Sequence, residues 1–235
     1  MKRAIDNPPE SRQYYILTDG NAIRKRWHLN KLRLWHLMAI TTEDQVLDAG
    51  CGAGNLISEL APHCQRAVGC DYRYPCLAVA SRRRAGTYVQ ANLRQLPFPP
   101  ATFSTLFCME VIEHLDRGTA AQALSEFQRV LRPKGQIILT TPNYRSLWVI
   151  IEFLTDTVRL VPEMVGREHI SKYHQRTLAA LLGRAGFVIE RIGTFNHLSP
   201  LIALLSERWA ERLYHWEIKE GRLGGNLLYA VCRKP

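Results

Sequence analysis

The chain has 235 residues, 46% hydrophobic and 22% charged, which excludes a disordered polypeptide and suits one medium domain with a substantial core. Its formal net charge of +10 points to an anionic partner, whether nucleic acid, an acidic membrane surface or an acidic substrate. The six cysteines, at 51, 64, 70, 76, 108 and 232, form neither CxxC pairs nor Cys/His metal spacing, so a zinc site and a disulfide scaffold are both disfavoured.

In chain order, residues 1–20 are polar, carry Pro8-Pro9 and read as a loose arm without the apolar run of a signal peptide; a cytoplasmic protein is expected. Residues 22–40 show helical spacing in Ile23, Trp27, Leu34, Leu37 and Met38. Short apolar runs then alternate with helical stretches: 45–49, helix 56–60; 67–71, helix 76–83; 87–91; 105–109, helix 120–131; and 136–141. That alternation predicts a parallel sheet with right-handed crossovers. Residues 147–165 are apolar but carry Glu152, Asp156, Arg159 and Glu163, too many charges for a membrane span. A helix over 177–185, a strand over 187–195, a helix over 198–216 and a strand over 226–233 complete the reading.

The run VLDAGCGAG sets a buried-type strand directly before glycines at 50, 52 and 54, with a helix starting at Asn55. Backbone amides there can approach a ligand closely. A dinucleotide fingerprint GxGxxG would need glycine at 55, so D-x-G-x-G-x-G fits better. The second strand ends in Asp71, which can accept both hydroxyls of a ribose. Asn92-Leu93 after the third strand is placed to reach an adenine edge, and Met109 at the end of the fourth can pack on the ring through its thioether. Glu110, Glu113 and His114 follow at i, i+3 and i+4, where one helical turn would aim all three at an acceptor. Two carboxylates and an imidazole suit magnesium, manganese or another divalent cation. Alternatively, His114 is a general base, or the acids merely favour a helix N-terminus.

Through VLDAGCGAGNL, GCD, LPFPPATFSTLFCMEVIEHL and RVLRPKGQIILTTPN the chain resembles the class I S-adenosylmethionine-dependent methyltransferases. Within them it is most similar to the O-methyltransferases of ubiquinone biosynthesis, which share an N-x-L-R-L helix, CMExxEH and an apolar insertion after the fifth strand. The resemblance implies a Rossmann-like α/β fold: a mostly parallel seven-stranded sheet with helices on both faces and an inserted apolar lid after strand five. It implies one domain, with an arm and basic helix at 1–40, a cofactor-binding core at 41–145, a lid at 146–176 and the rest of the sheet at 177–235. S-adenosylmethionine would be the cofactor, with Arg33 on its methionine carboxylate, and Asp48, Gly50, Cys51, Gly52, Asn55, Asp71, Tyr72, Asn92, Leu93 and Met109 around the rest. Glu110, Glu113 and His114 are the metal candidates, and Trp148, His169 and Tyr173 the candidates for covering the acceptor.

The expected reaction is O-methylation of a lipophilic, quinone-precursor-like phenol. The 147–161 stripe and the residues Arg24, Lys25, Arg26, Lys31 and Arg33 beside Trp27 and Trp35 suggest an anionic membrane surface at its inner face, in preference to nucleic acid. Another lipid, a small carboxylate or RNA as acceptor, and a non-catalytic cofactor-binding adaptor, are the competing readings.

Overall fold

The computed structural model describes residues 20–146, 169–220 and 224–235. The arm expected over 1–20, Gly20 apart, and the whole apolar stretch 147–165, with Trp148, lie outside them. Seven strands form one sheet: β1 Gln45–Ala49, β2 Arg66–Asp71, β3 Thr87–Gln90, β4 Phe103–Met109, β5 Leu131–Pro142, β6 Val188–Phe195 and β7 Leu227–Arg233. Their spatial order is β3-β2-β1-β4-β5-β7-β6. The first five are parallel to one another, and β7 runs antiparallel to both β5 and β6. The order reverses beside β1, so a crevice opens beyond the carboxyl ends of β1 and β4, where open α/β sheets take their ligands.

The described helices are α1 Ala22–Leu32, α2 Asn55–Leu60, α3 Tyr74–Arg83, α4 Arg117–Val130, α5 Gln175–Arg184, α6 Ser199–Ile202 and α7 Glu207–Glu220. Strand residues alternate between two packed faces. Leu106 and Cys108 of β4, Ile137 and Leu139 of β5 and Leu228 and Ala230 of β7 meet α4 and α5 through Ala120, Leu124, Phe127 and Leu178. Phe107, Ile138, Tyr229 and Val231 point the other way, onto Trp27, Leu34, Tyr214 and Ile218 of the α1–α7 side. Burial on both faces explains why these strands read as continuous apolar runs.

Two expected helices are divided. The periodicity over 22–40 ends its α-helix at Leu32, and Arg33–Leu37 tighten into a 3-10 turn before Met38 becomes extended. The segment 198–216 breaks into α6 and α7, because Leu204, Leu205 and Ser206 close a separate turn on Leu201 and Ile202 before Glu207 restarts the helix. Strand β5 begins five residues earlier than its apolar core, passing through Lys134 at a positive φ of 63°.

Candidate functional site

At the end of β1 the chain turns back over β2: Gly50 and Cys51 both donate backbone N–H to the Cys70 carbonyl, at 2.8 and 2.9 Å. Gly50, Gly52 and Gly54 take φ of 88°, 50° and 75°, conformations that L side chains rarely adopt. Space is equally restrictive, since a Cβ on Gly50 would lie 2.3 Å from a Val111 methyl and one on Gly54 2.5 Å from the Tyr88 hydroxyl. Asp71 locks this loop from the neighbouring strand, accepting Gly52 N–H at 2.9 Å and Arg73 N–H at 2.8 Å on its two oxygens. A carboxylate has about four lone-pair sites, so acceptor capacity is left for ligand hydroxyls. Asp48 lies beneath, buried, its carboxyl pushed up to about 7 by burial and by the negative charge of Asp71. Burial and the same two acids hold the Cys51 thiol protonated, excluding a thiolate nucleophile there.

The outer candidates are arranged less directly. The Asn55 side chain accepts from Arg84 at 2.7 Å, and the carbonyl of the exposed Tyr72 accepts from Gln90 at 3.0 Å. Asn92 uses its side-chain oxygen to close a turn on Arg94 N–H at 3.0 Å, while Leu93 packs on the α4 face and Met109 on the α1–α7 face. Arg33 donates to Glu211 of α7, which also receives Arg26 at 2.8 Å; this guanidinium sits on the α1–α7 seam. The two arginines offset the effect of burial on Glu211 and hold its carboxyl down at about 2.

Beyond β4 the expected single helical turn is not formed. Glu110 has a left-handed φ of 58°, and only Ile112–His114 coil, as a 3-10 turn. The strained residue bonds back to β5, its N–H meeting the Thr140 carbonyl and its carboxylate accepting the Thr140 hydroxyl at 3.1 Å, while its charge still acts on Glu113. Its place beside Glu113 and His114 is taken by His169, and the donor atoms of these three lie within 4.8 Å of one another. Two hydrogen bonds, from Ile170 and Ser171 N–H to the Glu113 carbonyl, bring that distant segment in. His169 stands edge-on to His114 with ring centroids 4.9 Å apart, and its Nδ1 meets the Tyr144 hydroxyl at 2.6 Å. Tyr173 belongs mainly to the core, its carbonyl accepting Tyr144 N–H.

Several members of this end were not legible as such. Lys31, read as part of an outward basic face, turns its ammonium inward, 4.5 Å from the Trp27 ring and toward Glu110 and Glu113. Burial lowers its pKa and those acids oppose the shift; burial raises both carboxyls in turn. Asn226, at the start of β7 and fully buried, has neither side-chain atom hydrogen-bonded, and the buried Ser146 hydroxyl is likewise unpaired. A helical period betrays which face of α1 is apolar, yet no local pattern could bring 31, 169 and 226 to one sheet edge.

Comparison with known proteins agrees with this geometry. A family model described as "Methyltransferase domain" matches residues 47–139. A "Probable S-adenosylmethionine-dependent methyltransferase" of Mycolicibacterium smegmatis is 33% identical over 159 residues, 64% of this chain and 55% of the relative. The "Ubiquinone biosynthesis O-methyltransferase" of Pseudomonas aeruginosa is 30% identical over 137 residues, 56% of this chain and 55% of its own. The chain thus spans about half the length of these curated relatives. Among solved structures, a SAM-dependent methyltransferase from Archaeoglobus fulgidus shares the fold with a TM-score of 0.67 at 20% identity, over 94% of this chain and 100% of that one. Magnesium protoporphyrin IX methyltransferase from Synechocystis, with bound SAH, aligns at 0.65 and 16% identity over 96% of this chain and 93% of its own.

Proposed function

We propose that this chain, whose residues 47–139 match a methyltransferase domain, is a class I S-adenosylmethionine-dependent methyltransferase that transfers the methyl group to a hydroxyl of a lipophilic, phenol-like acceptor. The observation that carries the donor half is the Asp71 bridge to Gly52, which fixes a glycine turn where a Cβ at position 50 or 54 would clash. When bound, the donor would supply a methyl activated by its sulfonium, open to in-line attack by the acceptor oxygen, the carbon–sulfur bond breaking and S-adenosylhomocysteine leaving. The protein's work is to orient the two partners, exclude water and receive the hydroxyl proton.

His114 is the residue we assign as base, with His169 across from it and Tyr144 fixing the His169 ring. One carboxylate and two imidazoles, Glu113, His114 and His169, also fit a divalent cation of borderline hardness. Such an ion would lower the pKa of a bound phenol, and this triad would hold it, the Glu110 carboxylate being hydrogen-bonded to Thr140. The O-methyltransferase relatives favour oxygen as the methylated atom.

Incubation with methyl-labelled S-adenosylmethionine and fractionated cell extract tests the acceptor: label in the lipid fraction is expected, and label confined to RNA or to water-soluble carboxylates would overturn that class. The same assay after chelation, with manganese or magnesium restored, tests the ion; full activity in chelator removes it. Tight binding of donor with no conversion in any fraction would instead mark a non-catalytic adaptor.

A further inference from the structure

Of the basic residues expected to face a membrane from the N-terminal helix, Arg26 and Lys31 are turned inward and Arg33 is paired with Glu211, and a different element presents a more apolar surface. Nine large hydrophobic side chains are exposed among the described residues, and five of them, Leu198, Leu204, Leu205, Trp209 and Trp216, lie between 198 and 216. Leu205 is 85% exposed, Trp209 61% and Trp216 50%. The two tryptophans are seven residues apart on α7, two turns along one face.

The charges of α7 are sorted by the fold. By sequence the helix carries four glutamates against two arginines and one lysine. Glu217 is buried, accepting Leu198 N–H, Ser199 N–H and the Ser199 hydroxyl. Glu211 turns to Arg26 and Arg33, and Arg26 also reaches Glu207 at 3.4 Å. Exposed beside the tryptophans are Arg208, Arg212, His215 and Lys219 together with Glu207 and Glu220, and Arg212 lies 5.1 Å over the Trp209 ring. With Glu217 buried and Glu211 turned to α1, three cations outnumber the two exposed glutamates, and the face of tryptophan, leucine and arginine matches the acyl boundary and anionic headgroups of a bilayer rather than bulk water.

We propose that the turn Ala203–Ser206 and the outer face of α7 are a docking surface for an anionic lipid bilayer, with Leu204 and Leu205 inserted, Trp209 and Trp216 at headgroup depth and Arg208 and Arg212 on phosphates. This surface is independent of methyl transfer, so it stands or falls separately from the proposed activity. Sedimentation of the full chain with phosphatidylcholine vesicles, with and without phosphatidylserine, tests it. Binding to the phosphatidylserine vesicles, weakened by salt, is expected to drop about tenfold or more in W209S/W216S and in L204S/L205S, and to fall in R208Q/R212Q. Far-UV circular dichroism and S-adenosylmethionine affinity should stay as in the parent, since these side chains are exposed and remote from the glycine turn. Absence of binding at low salt, or binding undiminished in W209S/W216S, overturns the proposal. So does a patch-dependent dimer in size exclusion without vesicle binding, or patch-dependent capture of labelled RNA with no affinity for vesicles.

Discussion

The two ends of the crevice are built on different principles. Over β1 and β2 the end proposed to hold the donor consists of main chain: three glycines at positive φ and an Asp71 carboxylate that ties one strand to the loop of another. Over β4, β5 and β7 the other end consists of side chains from 31, 110–114, 144, 169 and 226, each delivered by a different element. A backbone site must be preformed, because its amides move only with the fold. A side-chain site can be retuned residue by residue while the backbone site stays as it is.

The sharpest break in that comparison is Asp71→Ala. It removes two charge-assisted hydrogen bonds, each worth about 1.5–3 kcal/mol, so S-adenosylmethionine affinity measured by calorimetry should fall about a hundredfold or more. Glu113→Gln should do the reverse, leaving donor affinity within about twofold while labelled methyl transfer drops about tenfold. An equal loss of donor binding in both variants would mean that the two ends are one site, and the distinction would fail.

Asp48 gives a pH signature to the donor end. Its folded-state pKa of about 7 lies above the ordinary carboxylate value, so the folded chain retains a proton that the unfolded chain has released. Stability should therefore decline as pH rises from about 4 to about 7. Urea unfolding across that range should show the decline in the parent and a flatter profile in Asp48→Asn. An identical slope in both would show that Asp48 is not the group responsible. Glu211 has the opposite sign: held down at about 2 beside Arg26 and Arg33, it stabilises above the ordinary glutamate pKa and loses that contribution as pH falls toward 2.

What was legible in the sequence follows the same division. The donor turn is one contiguous run, so its strand, its glycines and the acid at the end of the next strand could be read from spacing alone, and the sheet followed from the alternation of runs. The acceptor end was legible only where contiguous. Glu113 and His114 were found, but Glu110 was placed with them because an i, i+3, i+4 pattern assumes a helix, whereas its φ of 58° turns it onto Thr140. His169 was ranked as cover because nothing local ties it to position 113. Lys31 lies in the last turn of α1 and Arg33 opens the 3-10 turn after it, and only the packing of this segment against α7 decides that Arg33 meets Glu211 while Lys31 faces the carboxylates.

Asn226 offers the smallest effect and the most discriminating one. An amide buried to 1% exposure with both polar atoms unpaired costs free energy in the unliganded chain, about 1–3 kcal/mol for each unsatisfied group. If that amide is kept for a ligand's hydroxyl or carboxyl, Asn226→Leu removes the penalty at nearly constant volume. Thermal unfolding without ligand should then rise by a few degrees, about 2–4 °C per kcal/mol for a chain of this size, while transfer to the acceptor weakens and donor affinity stays unchanged. An amide that merely supports the turn before β7 predicts the opposite, a lower melting temperature with transfer reduced only in proportion to folded protein. Stability and activity moving in opposite directions would therefore assign Asn226 to the acceptor end, since only a group held unsatisfied for a partner is costly in its absence.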